Sequence, residues 1–148
     1  MQILSSAFLP NDYIPIEYTC DGANLSPPLA ITGVLPGTKS LVLIVSDPDA
    51  PSGDWVHWLV WAIPPKTTLI DKGTVPLGAI QGVNDFGREG YDGPCPPSGT
   101  HRYQFRLFAL NHTFSPEISP LIKKAGLLRL MADHILDEAS LVGLYSHQ

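Results

Sequence analysis

The segment Ser40-Leu41-Val42-Leu43-Ile44-Val45-Ser46-Asp47-Pro48-Asp49-Ala50-Pro51-Ser52-Gly53-Asp54-Trp55-Val56-His57-Trp58-Leu59-Val60-Trp61-Ala62-Ile63 decides the fold class. Ser40–Val45 is a short, unbroken apolar run rich in β-branched residues. Its length favours a strand covered on both faces over a helix. The proline-rich piece Asp47–Gly53 reads as a turn, and Trp55–Ile63, rich in Val and Trp and stopped by Pro64-Pro65, reads as a second strand.

Further along, His101, Tyr103, Phe105 and Leu107 share one parity and Arg102, Gln104 and Arg106 the other, so His101–Leu110 reads as a strand with one wetter face. Residues 1–35 alternate short apolar pieces with punctuation such as Pro10-Asn11-Asp12 and Ser26-Pro27-Pro28, which suits edge strands and loops. Val83–Gly99 is a long irregular loop, ordered by Phe86 and Tyr91. Near the C-terminus, Ser119-Pro120 resembles a helix start and Gly126 an interruption. Leu128, Met131, Ile135 and Ala139 at helical spacing predict a helix over 127–138, and Ser140–Tyr145 a closing strand. The expected architecture is a single domain spanning 1–148, a mainly β sandwich with a peripheral helix near the C-terminus.

Composition narrows the function classes. The 13 glycines and 15 prolines among 148 residues argue for many turns and against a helical bundle. Nine Lys and Arg against fourteen Asp and Glu leave a net charge of −5. Lys123-Lys124 is the only adjacent basic pair, so neither a nucleic-acid surface nor a polybasic membrane anchor can be assembled. The longest purely apolar runs, Leu41–Val45 and Trp58–Ile63, fall far short of the ~20 residues that span a bilayer. The N-terminus shows no signal-peptide pattern. Cys20 and Cys95 are too few for a disulfide scaffold and lack zinc-type spacing. A soluble, cytoplasmic chain with reduced thiols is the expectation, Cys95 being a buried thiol and its pairing with Cys20 left open. Oligomeric state is also open, and a homodimer is compatible with the sequence.

Candidate chemistry gathers at strand ends and in the two Pro/Gly-rich loops. Asp47 and Asp49 stand where a buried strand leaves the core, His57 lies on the next strand, and His101 and Tyr103 share one strand face. If these strands are neighbours, carboxylates, imidazoles and a phenol converge on one hollow. Such a set recognises anions: His and Tyr donate hydrogen bonds, and glycine-rich turns expose backbone N–H groups. One Asp would then fix a histidine tautomer, and the other would accept a proton from a ligand's ammonium or acid phosphate group. Each residue also has a plainer reading. Asp47 and Asp49 beside prolines are turn formers, His57 is a satisfied core histidine, and Trp55, Trp58 and Trp61 are core or cover. His112, His134 and His147 carry no pattern beyond surface or helix positions. The chain has no nucleophile elbow, zinc-protease, dinucleotide or P-loop motif. Asp47, Asp49, His57 and His101 offer ligand types that suit zinc, yet no metal or cofactor is expected.

Three blocks together resemble a known family: Asp47-Pro48-Asp49-Ala50-Pro51, Trp55-Val56-His57-Trp58, and Gly90-Tyr91 through Gly93-Pro94-Cys95-Pro96-Pro97 and Gly99 to His101-Arg102-Tyr103. They are similar to the phosphatidylethanolamine-binding proteins, also called Raf kinase inhibitor proteins. Tyr18-Thr19-Cys20-Asp21-Gly22, Ser26-Pro27-Pro28-Leu29 and His134-Ile135-Leu136 look like the bacterial and archaeal branch. The resemblance implies two packed antiparallel sheets with Greek-key connections and a small pocket for phosphate, phosphorylated groups or a phosphoethanolamine head group. By motif position it assigns ligand binding to Asp47, His57, Gly93, Pro94, His101 and Tyr103, with Asp49 in support. Cys95 stands where eukaryotic members have the second proline of a Pro-Pro pair, and Ala30-Ile31 where a tryptophan is usual. The expected function is non-catalytic binding of a small anionic ligand. An alternative is a regulator or inhibitor of a kinase or serine protease, and a third a small hydrolase using His57 and Asp47.

Overall fold

In the computed structural model, which describes residues 1–114 and 116–147, eight strands form two antiparallel sheets with a helix on one side. In chain order the strands are β1 (Gln2–Leu4), β2 (Leu29–Thr32), β3 (Ser40–Asp47), β4 (Trp55–Ile63), β5 (Leu69–Ile70), β6 (Ile80–Gln81), β7 (Thr100–Leu110) and β8 (Ile135–Ser146). A single 3-10 turn covers Ile16–Tyr18, and the helix α1 is Lys124–Met131. The smaller sheet runs β1-β2-β5 and the larger β6-β4-β3-β7-β8. The chain leaves β4 for β5 in the opposite sheet, returns as β6, and then crosses to lay β7 on the far side of β3.

All eight residues of β3 are buried, because each face meets a different layer. Leu41, Leu43 and Val45 pack with Ile3, Leu29, Ile31 and Ile70 of the smaller sheet. Val42 and Ile44 pack with Leu127 and Met131 of α1. Burial on both faces explains the unbroken apolar run. β4 shares this duty, with Trp58 and Val60 in the intersheet core and Leu59 and Trp61 under the helix. Strand β7 keeps the expected alternation: His101, Tyr103, Phe105 and Leu107 are buried, whereas Arg102 is exposed.

The C-terminal third departs from expectation. The helix ends at Met131, and from Ile135 the chain is strand, paired along β7 from Leu110↔Ile135 to Thr100↔Ser146. Ladder pairing along eleven residues of β7 outweighs the helical spacing of Ile135 and Ala139, a tertiary override of a local pattern. Gly126 lies inside the helix, not at a break. Ser119 forms a turn instead of a cap: its carbonyl accepts the Ile122 N–H at 3.0 Å and its hydroxyl the Leu121 N–H at 3.2 Å. His134 falls in the turn after the helix, its ring stacked on His112 with centroids 4.7 Å apart. The expectation of reduced thiols is also corrected, since Cys20 and Cys95 form a disulfide across 75 positions of sequence. Segments 18–22 and 91–95 lie side by side, with the Cys20 N–H donating to the Pro94 carbonyl at 3.1 Å. Among the described residues, no helix is long and apolar enough to cross a membrane.

Candidate functional site

The end of β3, the start of β4 and the start of β7 are neighbours, and their side chains enclose a hollow of about 250 Å³. Asp47, His57, His101 and Tyr103 line its polar part, and Pro51, Trp55, Phe86, Pro96 and Pro97 its apolar collar. Asp47, His57, His101 and Tyr103 are all buried, and Phe86 at the collar is exposed.

A β-bulge aims His57. Val45 faces Trp58 and Ser46 faces Val56, so His57 is the extra residue on β4. Without that insertion the strand could not send Val56 to the helix-side core, Trp58 to the intersheet core, and His57 to the hollow. Bulges re-aim side chains in this way at sites. His57 Nδ1 lies 2.6 Å from the Asp92 carbonyl oxygen. A carbonyl only accepts, so Nδ1 carries the proton and Nε2 is the nitrogen left for a ligand. Burial pushes the His57 pKa below the ordinary imidazole value, against the opposing pull of the Asp92 carbonyl and the Asp47 charge.

His101 is held by a carboxylate. Asp47 Oδ2 sits 2.6 Å from His101 Nδ1, while its Oδ1 accepts the Asp49 N–H at 2.8 Å. Asp47 is thus both a turn former and a histidine orienter, and its partner is His101 rather than His57. Tyr103 lies between the two imidazoles, its ring centroid 5.2 Å from that of His57 and 6.5 Å from that of His101. Its hydroxyl is buried and, among the described residues, makes no hydrogen bond of ordinary geometry. Burial, then the nearby Asp47 charge, raises the phenol well above its usual pKa, so it stays a donor.

The other expected residues support the hollow from behind. Gly93 and Pro94 lie outside the lining: the Gly93 N–H donates to Asn24 Oδ1 at 2.8 Å, and the Pro94 carbonyl accepts from Cys20. A Cβ on Gly93 would lie 2.2 Å from the Tyr18 carbonyl oxygen, so only glycine fits. Asp49 binds Arg102 through both carboxylate oxygens, at 2.9 and 2.7 Å, which holds its pKa at about 2. Asp47 and Asp49 are therefore already engaged, by His101 and Arg102.

Sequence reasoning missed the Asp92 network. Asp92 Oδ2 accepts from Asn84 Nδ2 at 2.8 Å and Arg88 Nε at 3.0 Å, and its Oδ1 from Asn24 Nδ2 at 3.1 Å. This nearly buried carboxylate ties three loop segments together and so fixes the carbonyl that orients His57. Spacing alone carried no signal for it. The collar residues Trp55 and Phe86, whose rings meet edge to face at 5.5 Å, were read as core or as loop order.

Two packed antiparallel sheets with a polar hollow between strand ends define a small β-sandwich of the binding-protein kind. The family profile described as phosphatidylethanolamine-binding protein matches residues 4–146. The UPF0098 protein of Methanothermobacter thermautotrophicus is 49% identical over 150 residues, covering 98% of each chain. Among solved structures, a putative phosphatidylethanolamine-binding protein homologue from Chlamydia trachomatis has a TM-score of 0.93 at 40% identity, covering 99% of this chain and 97% of that one. E. coli YbcL, described as a new member of the mammalian family, has a TM-score of 0.91 at 32% identity, covering 99% and 98%. The chain belongs to the phosphatidylethanolamine-binding protein family.

Proposed function

We propose that this chain is a non-catalytic binding protein whose hollow takes a small anionic ligand, a phosphate monoester or phosphoethanolamine-type head group. The observation that carries the reading is the buried Tyr103 hydroxyl, a donor on the wall of the hollow that makes no hydrogen bond of ordinary geometry among the described residues. A buried hydroxyl left unpaired costs on the order of 1–3 kcal/mol, which a ligand oxygen recovers. His101, with Asp47 on its far nitrogen, presents Nε2, which donates to a bound anion when it carries a proton. His57, neutral and with Nδ1 engaged, presents a lone pair and accepts from the P–OH of an acid phosphate or from an ammonium group. Two donors and one acceptor suit a hydrogenphosphate better than a carboxylate. The apolar collar of Trp55, Phe86 and Pro96 accommodates the organic part of an ester.

No catalytic step is assigned. His57 Nδ1 lies against the Asp92 carbonyl and Asp47 Oδ2 against His101, which supports reading both as positioning contacts for a binding site. Calorimetric titration with inorganic phosphate and phosphoethanolamine tests the reading. Saturable binding is expected, and His101→Ala should weaken it by about 1–3 kcal/mol through loss of a charged hydrogen bond. Equal affinity in the wild-type and His101→Ala proteins would reject the assignment of the hollow.

A further inference from the structure

The Cys20–Cys95 disulfide has a third polar group beside it, supplied by the far end of the chain. His147, one residue past β8, places Nε2 3.9 Å from Cys20 Sγ. Donor atoms of Cys20, Cys95 and His147 all lie within 4.8 Å of one another. On its other side the imidazole is oriented: Nδ1 lies 3.2 Å from Asp21 Oδ1, and Asp21 Oδ2 accepts the hydroxyl of the buried Tyr145 at 2.5 Å. A tyrosine therefore fixes a carboxylate, the carboxylate fixes a histidine, and the histidine aims Nε2 at a pair of sulfurs. A disulfide sulfur is a weak acceptor and makes little use of that arrangement.

We propose that Cys20, Cys95 and His147, once the disulfide is reduced, form a three-ligand site for a thiophilic divalent cation, with Zn²⁺ the fitting ion. In a tetrahedral zinc site, Zn–S of ~2.3 Å and Zn–N of ~2.0–2.1 Å place sulfur and nitrogen ~3.6 Å apart. The observed 3.9 Å is within a few tenths of an ångström of that value. The Cys20 and Cys95 Cα atoms, 5.5 Å apart, let the freed sulfurs separate by side-chain rotation to the ~3.8 Å that two thiolates on one zinc require. A carboxylate on the remote nitrogen of a ligating histidine sets the tautomer that leaves Nε2 for metal, the role Asp21 is placed to play. Cys20 and His147 are exposed, so both reductant and ion have access, and water takes the fourth position.

The chemistry balances with a small thiol as reductant. Two thiols give up their hydrogens and end as their own disulfide, while the Cys20–Cys95 bond opens to two thiols. Zn²⁺ then displaces two protons to solvent and binds two thiolates. The metal closes the same long loop as the disulfide and braces the same Cys95-Pro96-Pro97 wall. Sequence spacing could not reveal the site, because its ligands come from three separate segments.

The full chain, reduced with a small thiol and freed of it without air, is titrated with Zn²⁺ against a chromophoric chelator. Parallel Co²⁺ loading is followed by thiolate-to-cobalt absorption. One equivalent of tightly held metal is expected in the reduced protein and none in the oxidised protein. His147→Ala should weaken binding at least tenfold, and Asp21→Asn by about 10–100-fold, with circular dichroism checking that each exchange leaves the fold intact. A reduced chain that competes no better than the oxidised one, or His147→Ala protein with undiminished affinity, would overturn the proposal.

Discussion

Asp47 Oδ2 lies 2.6 Å from His101 Nδ1 although the two residues are 54 positions apart, and the same carboxylate caps the Asp49 N–H with its other oxygen. Both ends of this contact are nearly buried. Hydrogen bonds to charged groups contribute about 1.5–3 kcal/mol each. Asp47→Asn is therefore expected to lower stability by about 2 kcal/mol. Urea unfolding should show an earlier midpoint at unchanged slope.

Tyr103 separates a binding role from a structural one. Its hydroxyl makes no hydrogen bond of ordinary geometry among the described residues, so Tyr103→Phe removes an unpaired buried polar atom and should leave stability equal or slightly higher. The same exchange should cost roughly 5–10-fold in affinity for phosphoethanolamine, one hydrogen bond being worth about 1 kcal/mol. Paired thermal-unfolding and calorimetric measurements read the two effects separately.

His57 makes acid stability pH-dependent. Burial lowers its folded-state pKa, so on acidification the unfolded chain takes up this proton first. Its contribution is flat above the unfolded value of about 6.5 and falls as pH drops below it toward the depressed folded value. His57→Gln should flatten that part of the stability–pH curve, as followed by urea unfolding at stepped pH.

The disulfide closes a loop over 75 positions. Chain-entropy reasoning gives about 4 kcal/mol for a loop of that length, and native braces between the same segments do not depend on it. The double exchange Cys20→Ser and Cys95→Ser should lower stability by about 2–4 kcal/mol while retaining the fold, measured by guanidinium unfolding.

Local pattern made much of this arrangement legible. Ser40–Val45 and Trp55–Ile63 announced buried strands because both their faces are covered, and the parity of His101 and Tyr103 placed them on one face of β7. What stayed hidden is long-range. Ile135–Ser146 is a strand because β7 offers it a partner, a fact absent from its own residues. The bulge at His57, the Asp92 network and the Cys20–Cys95–His147 cluster depend on which distant segments meet. The two-residue strands β5 and β6 are too short to register a period.

The hollow between His57, His101 and Tyr103 is the proposed ligand site. The most direct measurement is NMR of the two imidazoles and the Tyr103 ring during titration with phosphoethanolamine and, separately, inorganic phosphate. Saturable shifts on these three residues, with His112 and His134 unmoved, are the predicted result. Shifts confined to other residues, or none at millimolar ligand, would contradict it.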